Sequence, residues 1–250
     1  MKKISEIEQA TFGMVEFEDE NCIIKYYSDE NFHPLGFGVY GIVFLTSLDD
    51  EYVLRALNNL GINRCIFVRD LQSLILANGH ILVSFGTSII VPQYILDRYV
   101  GGAYNIHAAS PDYPGRDPHH WAVYDNVKQY GATAHIMTNK VDDGPIVDIE
   151  LFEVASNIRP KELLDRSNEA AFNILSRIGP KLQRGEKLLP INGMKFGKNK
   201  RSRADFIEIC KISPSISFAE FERIFHSFDG GSYNNLTIEL HGKIFRIDKR

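Results

Sequence analysis

Asn105 and His107 stand two residues apart at the end of a short apolar segment, and the acidic pair Asp142-Asp143 follows a second one, just before Gly144-Pro145. Side chains at i and i+2 of a strand project to one face, so Asn105 and His107 are expected to point together into the same crevice. An asparagine amide can donate to a developing oxyanion. An imidazole can take up or relay a proton near neutral pH. A carboxylate beside the imidazole fixes its orientation and favours its protonated form. Together, Asn105, His107 and Asp142 suit acyl transfer to an amine, a reaction that needs both oxyanion stabilisation and proton removal. No serine stands in a Gly-x-Ser-x-Gly setting and no cysteine lies near these residues, which disfavours an acyl-enzyme. Spacing alone leaves a plainer reading open, because Asn-x-His is common and Asp-Gly is by itself a turn signal.

The elements that must position these groups can be read around them. Tyr40 to Leu45, Arg64 to Val68, His80 to Phe85, Ala103 to His107, Thr133 to Met137 and Ile146 to Val154 are short apolar runs of strand length. Helices are expected at Asp49 to Leu60, Leu71 to Ala77, a short stretch from Pro92, His119 to Tyr130 (ended by Gly131), Pro160 to Leu182 and Ser217 to Ser227. Pro160 to Leu182 is the clearest, with Leu163, Leu164, Ala170, Ala171, Ile174, Leu175 and Ile178 on one face. The alternation implies an α/β fold: a Rossmann-like, largely parallel open sheet with helices on both faces. Strand C-termini then line one edge, where such sheets bind ligands. Met14 to Phe17 and Cys22 to Tyr27 add two strands within an N-terminal extension, residues 1–38. The expected division is a catalytic domain over 1–189 and a small C-terminal subdomain over 190–250, a helix and a β-hairpin.

Composition bounds the function classes. The net charge of -4 over 250 residues gives no support for a general nucleic-acid surface. Cys22, Cys65 and Cys210 are far apart and form no CxxC pair, so each reads as a small buried residue in a reducing compartment, and the cytoplasm is the expected location. The window Ile81 to Leu96 is broken by Gly86, Pro92 and Gln93 and is too short to span a bilayer, and no signal peptide precedes it. His107, His119, His120 and His135 could ligate a metal by residue type.

Asn105-Ile106-His107, the proline-rich loop after it, Gly131 to His135, and Val141-Asp142-Asp143-Gly144-Pro145-Ile146-Val147 resemble, in order and spacing, the folate-dependent formyltransferase family. The resemblance covers roughly Ile81 to Val154. It implies a formyl donor, 10-formyltetrahydrofolate, with Asn105, His107 and Asp142 (rather than Asp143) as catalytic residues in a site without a metal. It places the folate near Phe85, Gly86, Thr87, Ile89, Ile90 and His135. Tyr113 to Ala122 and, more loosely, Tyr233 to Gly242 look most like the N-formyltransferases of nucleotide-linked amino sugars. That similarity implies a dTDP-linked dideoxy amino sugar as acceptor, for surface polysaccharide (O-antigen) synthesis. Arg116, His119, His120, Tyr233 and Asn234 are the corresponding acceptor-side candidates.

Plainer roles stand beside these: Arg116 can answer only Asp117 or Asp112, the two histidines can simply begin a helix, Trp121 suits core packing, and Lys198 to Arg203 a solvated loop. The first apolar strand runs into Leu45-Thr46-Ser47-Leu48 without a Gly-rich turn, which counts against a glycinamide ribonucleotide acceptor. The tail beyond Pro190 is short for a tRNA-binding domain, although the basic run Lys195 to Arg203 keeps charged initiator tRNA open as an alternative acceptor. A non-catalytic folate- or nucleotide-binding relative is the rival from another class. No nucleic-acid or membrane partner is expected, and the terminal hairpin offers a surface for a homodimer.

Overall fold

The structure, a computed structural model, describes residues 5–7, 13–19, 22–28, 41–48, 64–77 and 79–246. The expected helix Asp49 to Leu60 lies outside them. In chain order the elements are β1 (Ser5–Ile7), β2 (Gly13–Asp19), β3 (Cys22–Ser28), β4 (Ile42–Leu45), β5 (Arg64–Val68), α1 (Leu71–Leu76), β6 (Ile81–Phe85), α2 (Gln93–Leu96), β7 (Gly102–His107), α3 (Pro118–Tyr124), β8 (Gln129–Ile136), β9 (Ile146–Glu153), α4 (Pro160–Gln183), α5 (Arg203–Ile209), β10 (Lys211–Ile212), α6 (Phe218–Ile224), β11 (Thr237–Leu240) and β12 (Lys243–Arg246). Nine strands form one sheet in the order β1-β2-β3-β5-β4-β6-β7-β8-β9. β5, β4, β6 and β7 are parallel neighbours, while β1, β2 and β3 form an antiparallel edge. This is the mostly parallel central sheet with helices that the alternation of apolar runs predicts.

The chain condenses into two compact units whose membership interleaves along the sequence. The first holds residues 1–107, 134–148 and 172–194, and the second holds 108–133, 149–171 and 195–250. The expected division at residue 190 is sequential, whereas the compaction is not.

In the first unit, β4 and β6 are buried along their whole lengths, as strands covered on both faces must be. Val43, Leu45, Ile66, Val68, Leu74, Leu82 and Ile95 form a continuous apolar core. Burial of each such side chain contributes about 1.5–3 kcal/mol. Asp70 caps α1 by accepting from the Ser73 amide at 2.7 Å. Arg177 on α4 makes two bonds to the Asp148 carboxylate, at 2.9 and 3.1 Å, a fork-to-fork pairing.

In the second unit, Trp121, Phe206, Phe228 and Leu236 form one apolar cluster, and Ala122, Tyr130, Ile158 and Leu163 another. The helix expected over His119 to Tyr130 is shorter. Helix α3 ends at Tyr124, Asn126 takes a left-handed backbone (φ +52°), and Tyr130 and Gly131 already lie in β8. Gly131 is required there by strand packing rather than by a helix stop: a Cβ would lie 1.8 Å from the Glu150 carbonyl oxygen. Where the basic run over 195–203 ends, a helix begins, α5, its N-terminus held by a reciprocal capping box between Ser202 and Asp205. The tail hairpin β11–β12 gains a third strand, β10, which pairs parallel to β11.

Candidate active site

Within the first unit, β7 and the end of β8 run side by side. The Met137 amide donates to the Ala103 carbonyl at 2.8 Å. Two residues inward on each strand, Asn105 and His135 meet across the pair, with Asn105 Nδ2 3.1 Å from His135 Nε2. Directly opposite residues on neighbouring strands share a face, which is why a side chain 30 positions away arrives beside Asn105.

His107 follows Asn105 on the same face, and the loop between β8 and β9 brings in the carboxylate. His107 Nδ1 lies 3.9 Å from Asp142 Oδ2, and His135 Nε2 lies 3.5 Å from Asp142 Oδ1. One carboxylate thus faces two imidazoles, one per oxygen. Asp142 is only 6 % exposed and His135 3 %, while His107 retains 12 %. At 3.9 Å the His107–Asp142 approach is too long for a hydrogen bond. Asp143 points elsewhere: it is half exposed and pairs with Lys140 at 3.6 Å. Asp142 holds φ +44°, a left-handed backbone uncommon for any residue but glycine and tolerated best by Asn and Asp. Chemically, an imidazole beside a buried carboxylate can move a proton, and the amide two residues away can donate to an oxyanion. No group of three His, Cys, Asp or Glu side chains among the described residues is placed to hold a metal ion.

The expected folate-side residues lie in this same unit. Phe85 is buried and packs edge-on against Phe172 at 5.2 Å between ring centres. Gly86 has φ +61°, and its carbonyl accepts from the Ser47 amide. Thr87 Oγ1 accepts from the Ile89 amide at 3.3 Å, closing the loop on itself, while Ile90 is 68 % exposed.

The acceptor-side candidates lie in the second unit, and three of the five come together. His120 Nδ1 is 2.6 Å from the Ser227 carbonyl, and its ring stacks on Phe228 at 5.6 Å. The His119 ring sits 4.3 Å from that of His120, and its Nε2 is 3.4 Å from the Tyr233 hydroxyl. Arg116 is half exposed and pairs with Asp117 at 3.4 Å. Asn234 is exposed, and its carbonyl accepts from Arg246. The loop carrying Arg116 is pinned to the basic run by backbone bonds, with the Arg116 amide donating to the Arg201 carbonyl at 2.8 Å. Gly115 (φ +100°) allows that approach, since a Cβ there would lie 2.2 Å from the Arg201 oxygen.

Burial, with His120 and Lys161 nearby, pushes the His119 pKa from 6.5 down to about 3. A group whose folded pKa is depressed leaves the unfolded chain holding the extra proton between those two values. Stability therefore rises with pH across this window and falls as the pH drops below 6.5. His119→Phe is expected to remove up to about 2 kcal/mol of the stability difference between pH 7 and pH 5, at about 1.4 kcal/mol per pH unit. Urea midpoints of both proteins at the two pH values measure it; equal pH dependence contradicts it.

A family model described as formyl transferase matches residues 68–178, a segment that contains Asn105, His107, His135 and Asp142. A methionyl-tRNA formyltransferase from Bacillus thuringiensis (strain Al Hakam) is 32 % identical over 112 residues, 44 % of this chain and 35 % of that protein. The chain thus spans about a third of the length of that curated relative. Among solved structures, a 4-N formyltransferase from Francisella tularensis superposes with a TM-score of 0.67 at 16 % identity, covering 83 % of this chain and 96 % of the other. An N-formyltransferase from Helicobacter canadensis, solved with folinic acid and dTDP-3-aminofucose, gives a TM-score of 0.58 at 17 % identity over 81 % and 84 % of the two chains. At these identities the structural likenesses establish the fold. The family that matches, formyl transferase, is the one that the Asn105–His107 and Val141–Val147 segments resemble.

Proposed function

We propose that this chain transfers the formyl group of 10-formyltetrahydrofolate to the amino group of a dTDP-linked dideoxy amino sugar destined for surface polysaccharide. One observation carries the reading. Asn105, His107 and Asp142 converge in one compact unit, inside the segment that matches the formyl transferase family. His107 accepts the proton of the attacking amine and returns it to the departing folate nitrogen. Asn105 donates an N–H to the formyl oxygen as charge gathers there. Asp142 orients the His107 ring and stabilises its charged form.

The Gly86–Val91 loop suits the folate. Among the described residues, no hydrogen bond within the chain uses the backbone N–H of Ser88 or Ile90, so both can serve a planar heterocycle edge. The cluster of buried His119 and His120 with the partly buried Tyr233 supports an acceptor side in the second unit, with Arg116 and Asn234 as further candidates there. The ligands named for the Helicobacter canadensis structure, folinic acid and dTDP-3-aminofucose, support both substrate classes. In this reading residues 1–189 form the catalytic domain, 190–250 the small subdomain whose hairpin can pair two copies, and the enzyme works in the cytoplasm.

Charged initiator tRNA is the second reading, favoured by the methionyl-tRNA formyltransferase match and by the basic run at 195–203. The purified protein, given 10-formyltetrahydrofolate, is to be incubated with 3-amino and 4-amino dTDP-dideoxysugars, with charged initiator tRNA, and with no amine. Formylated nucleotide sugar, seen by mass spectrometry, is the expected product. Formylated tRNA alone would move the acceptor to the second reading. Folate binding without turnover in any arm would leave a non-catalytic relative.

A further inference from the structure

Three contacts meet on the His135 ring, and together they reach beyond the folate-side place that the sequence resemblance implies for it. Nδ1 lies 2.9 Å from the carbonyl oxygen of Ile136. A carbonyl only accepts, so Nδ1 carries a hydrogen. In the neutral ring Nε2 is then a lone pair, and Asn105 Nδ2, at 3.1 Å, donates one of its two N–H bonds to it. The Asp142 carboxylate, at 3.5 Å from the same nitrogen, is the more distant neighbour. Turning the Asn105 amide over would set its oxygen against the Nε2 lone pair, acceptor facing acceptor. His135 is buried and its ring is anchored on the backbone at Nδ1, so it can impose this choice.

We propose that His135 is a positioning residue: held as its Nδ1–H tautomer, it locks the Asn105 amide so that the second N–H is presented to the formyl oxygen. This rests on the formyl-transfer reading of the site above. A ring protonated on both nitrogens is the competing arrangement; it would pair with Asp142 and leave Asn105 to face it through Oδ1.

The test uses His135→Gln, His135→Asn and His135→Ala in the full chain. A glutamine oxygen can reach the place of Nε2 and accept from Asn105. An asparagine can replace only the Nδ1 donor. The expected result is a kcat lowered by about 10²-fold in the Asn and Ala variants, the scale set by losing ångström-level orientation, with Gln restoring most of it. Binding of 5-formyltetrahydrofolate is expected to stay within about twofold in all three, because uniform binding is not what the residue supplies. A tenfold weaker folate affinity with kcat intact would instead make His135 a folate contact and overturn the proposal. Nitrogen-15 NMR of the imidazoles reads the tautomer without turnover. Nδ1 protonated, Nε2 bare, and an Nε2 signal displaced by Asn105→Ala are expected; a protonated Nε2 overturns the proposal even if every variant folds poorly. Should the wild-type chain formylate no amine while the imidazole signals are as expected, the formyl-transfer reading fails and the Asn105–His135 lock stands as a structural fact.

Discussion

Replacing His107 with alanine is expected to lower the rate of formyl transfer by about 10²–10⁴-fold, the range typical of a lost general acid–base. The side chain is 12 % exposed and contributes no more than a modest share of the core, so the fold should survive, with a melting temperature near that of the wild type. Asp142→Asn addresses the same step from the other side. The amide fills the same space and keeps a residue type that tolerates the left-handed backbone at this position, but removes the charge facing His107 and His135. A loss comparable to that of His107→Ala is expected, since the imidazolium formed when His107 takes the amine proton loses its counter-charge. Rates with saturating folate and amine, beside thermal melts, decide it. Full activity in either variant would sink the assignment of these residues.

The largest expected effect on the fold comes from one methyl group. A Cβ added at Gly144 would lie 1.7 Å from the Ile136 carbonyl oxygen and 3.3 Å from His135 Nδ1. Backbone cannot yield as a flexible side chain does, so Gly144→Ala must displace the strand end or the loop. Overpacking of this kind costs about 1–3 kcal/mol, which for a chain of this size lowers Tm by roughly 2–12 °C. The carbonyl that would be pushed aside is the one anchoring the His135 ring, and Asp142 is two residues away in the same loop. Activity should therefore fall together with stability, by about 10²-fold if the catalytic groups move by an ångström. Differential scanning calorimetry and the formyl-transfer assay test the two halves separately. An unchanged melting temperature would mean that the loop has room not visible in its packing.

These groups differ in how far the sequence exposes them. The Asn105–His107 pair is legible because period-2 geometry is local, and the acidic pair holding Asp142 because it follows a strand-like segment and precedes Gly144-Pro145. The partnership of His135 with Asn105 is not, since strand register across 30 residues leaves no mark in spacing. The choice between Asp142 and Asp143 rests in the sequence on resemblance alone; burial and distance separate the two in space. Among the elements, α4 is plain from its apolar stripe. Helix α3 is read too long because Asn126 and Gly131 are both turn-prone residues and only Asn126 sits in a turn. Helix α5 begins at the last residue of a basic run that reads as a solvated loop, although Ser202-x-x-Asp205 is a readable start signal.

The interleaving of the two units has a bearing on how the protein is made. A ribosome delivers residues in order, yet the first unit lacks its last stretch until residue 194 has emerged, and the second waits for 195–250. Part of residues 108–133 stays unsatisfied through that interval: Trp121 lacks Phe206, Phe228 and Leu236, and the His120 imidazole awaits the Ser227 carbonyl more than a hundred residues downstream. Nascent chains halted shortly after residue 190 should accordingly be more open to protease around α3 than the finished protein.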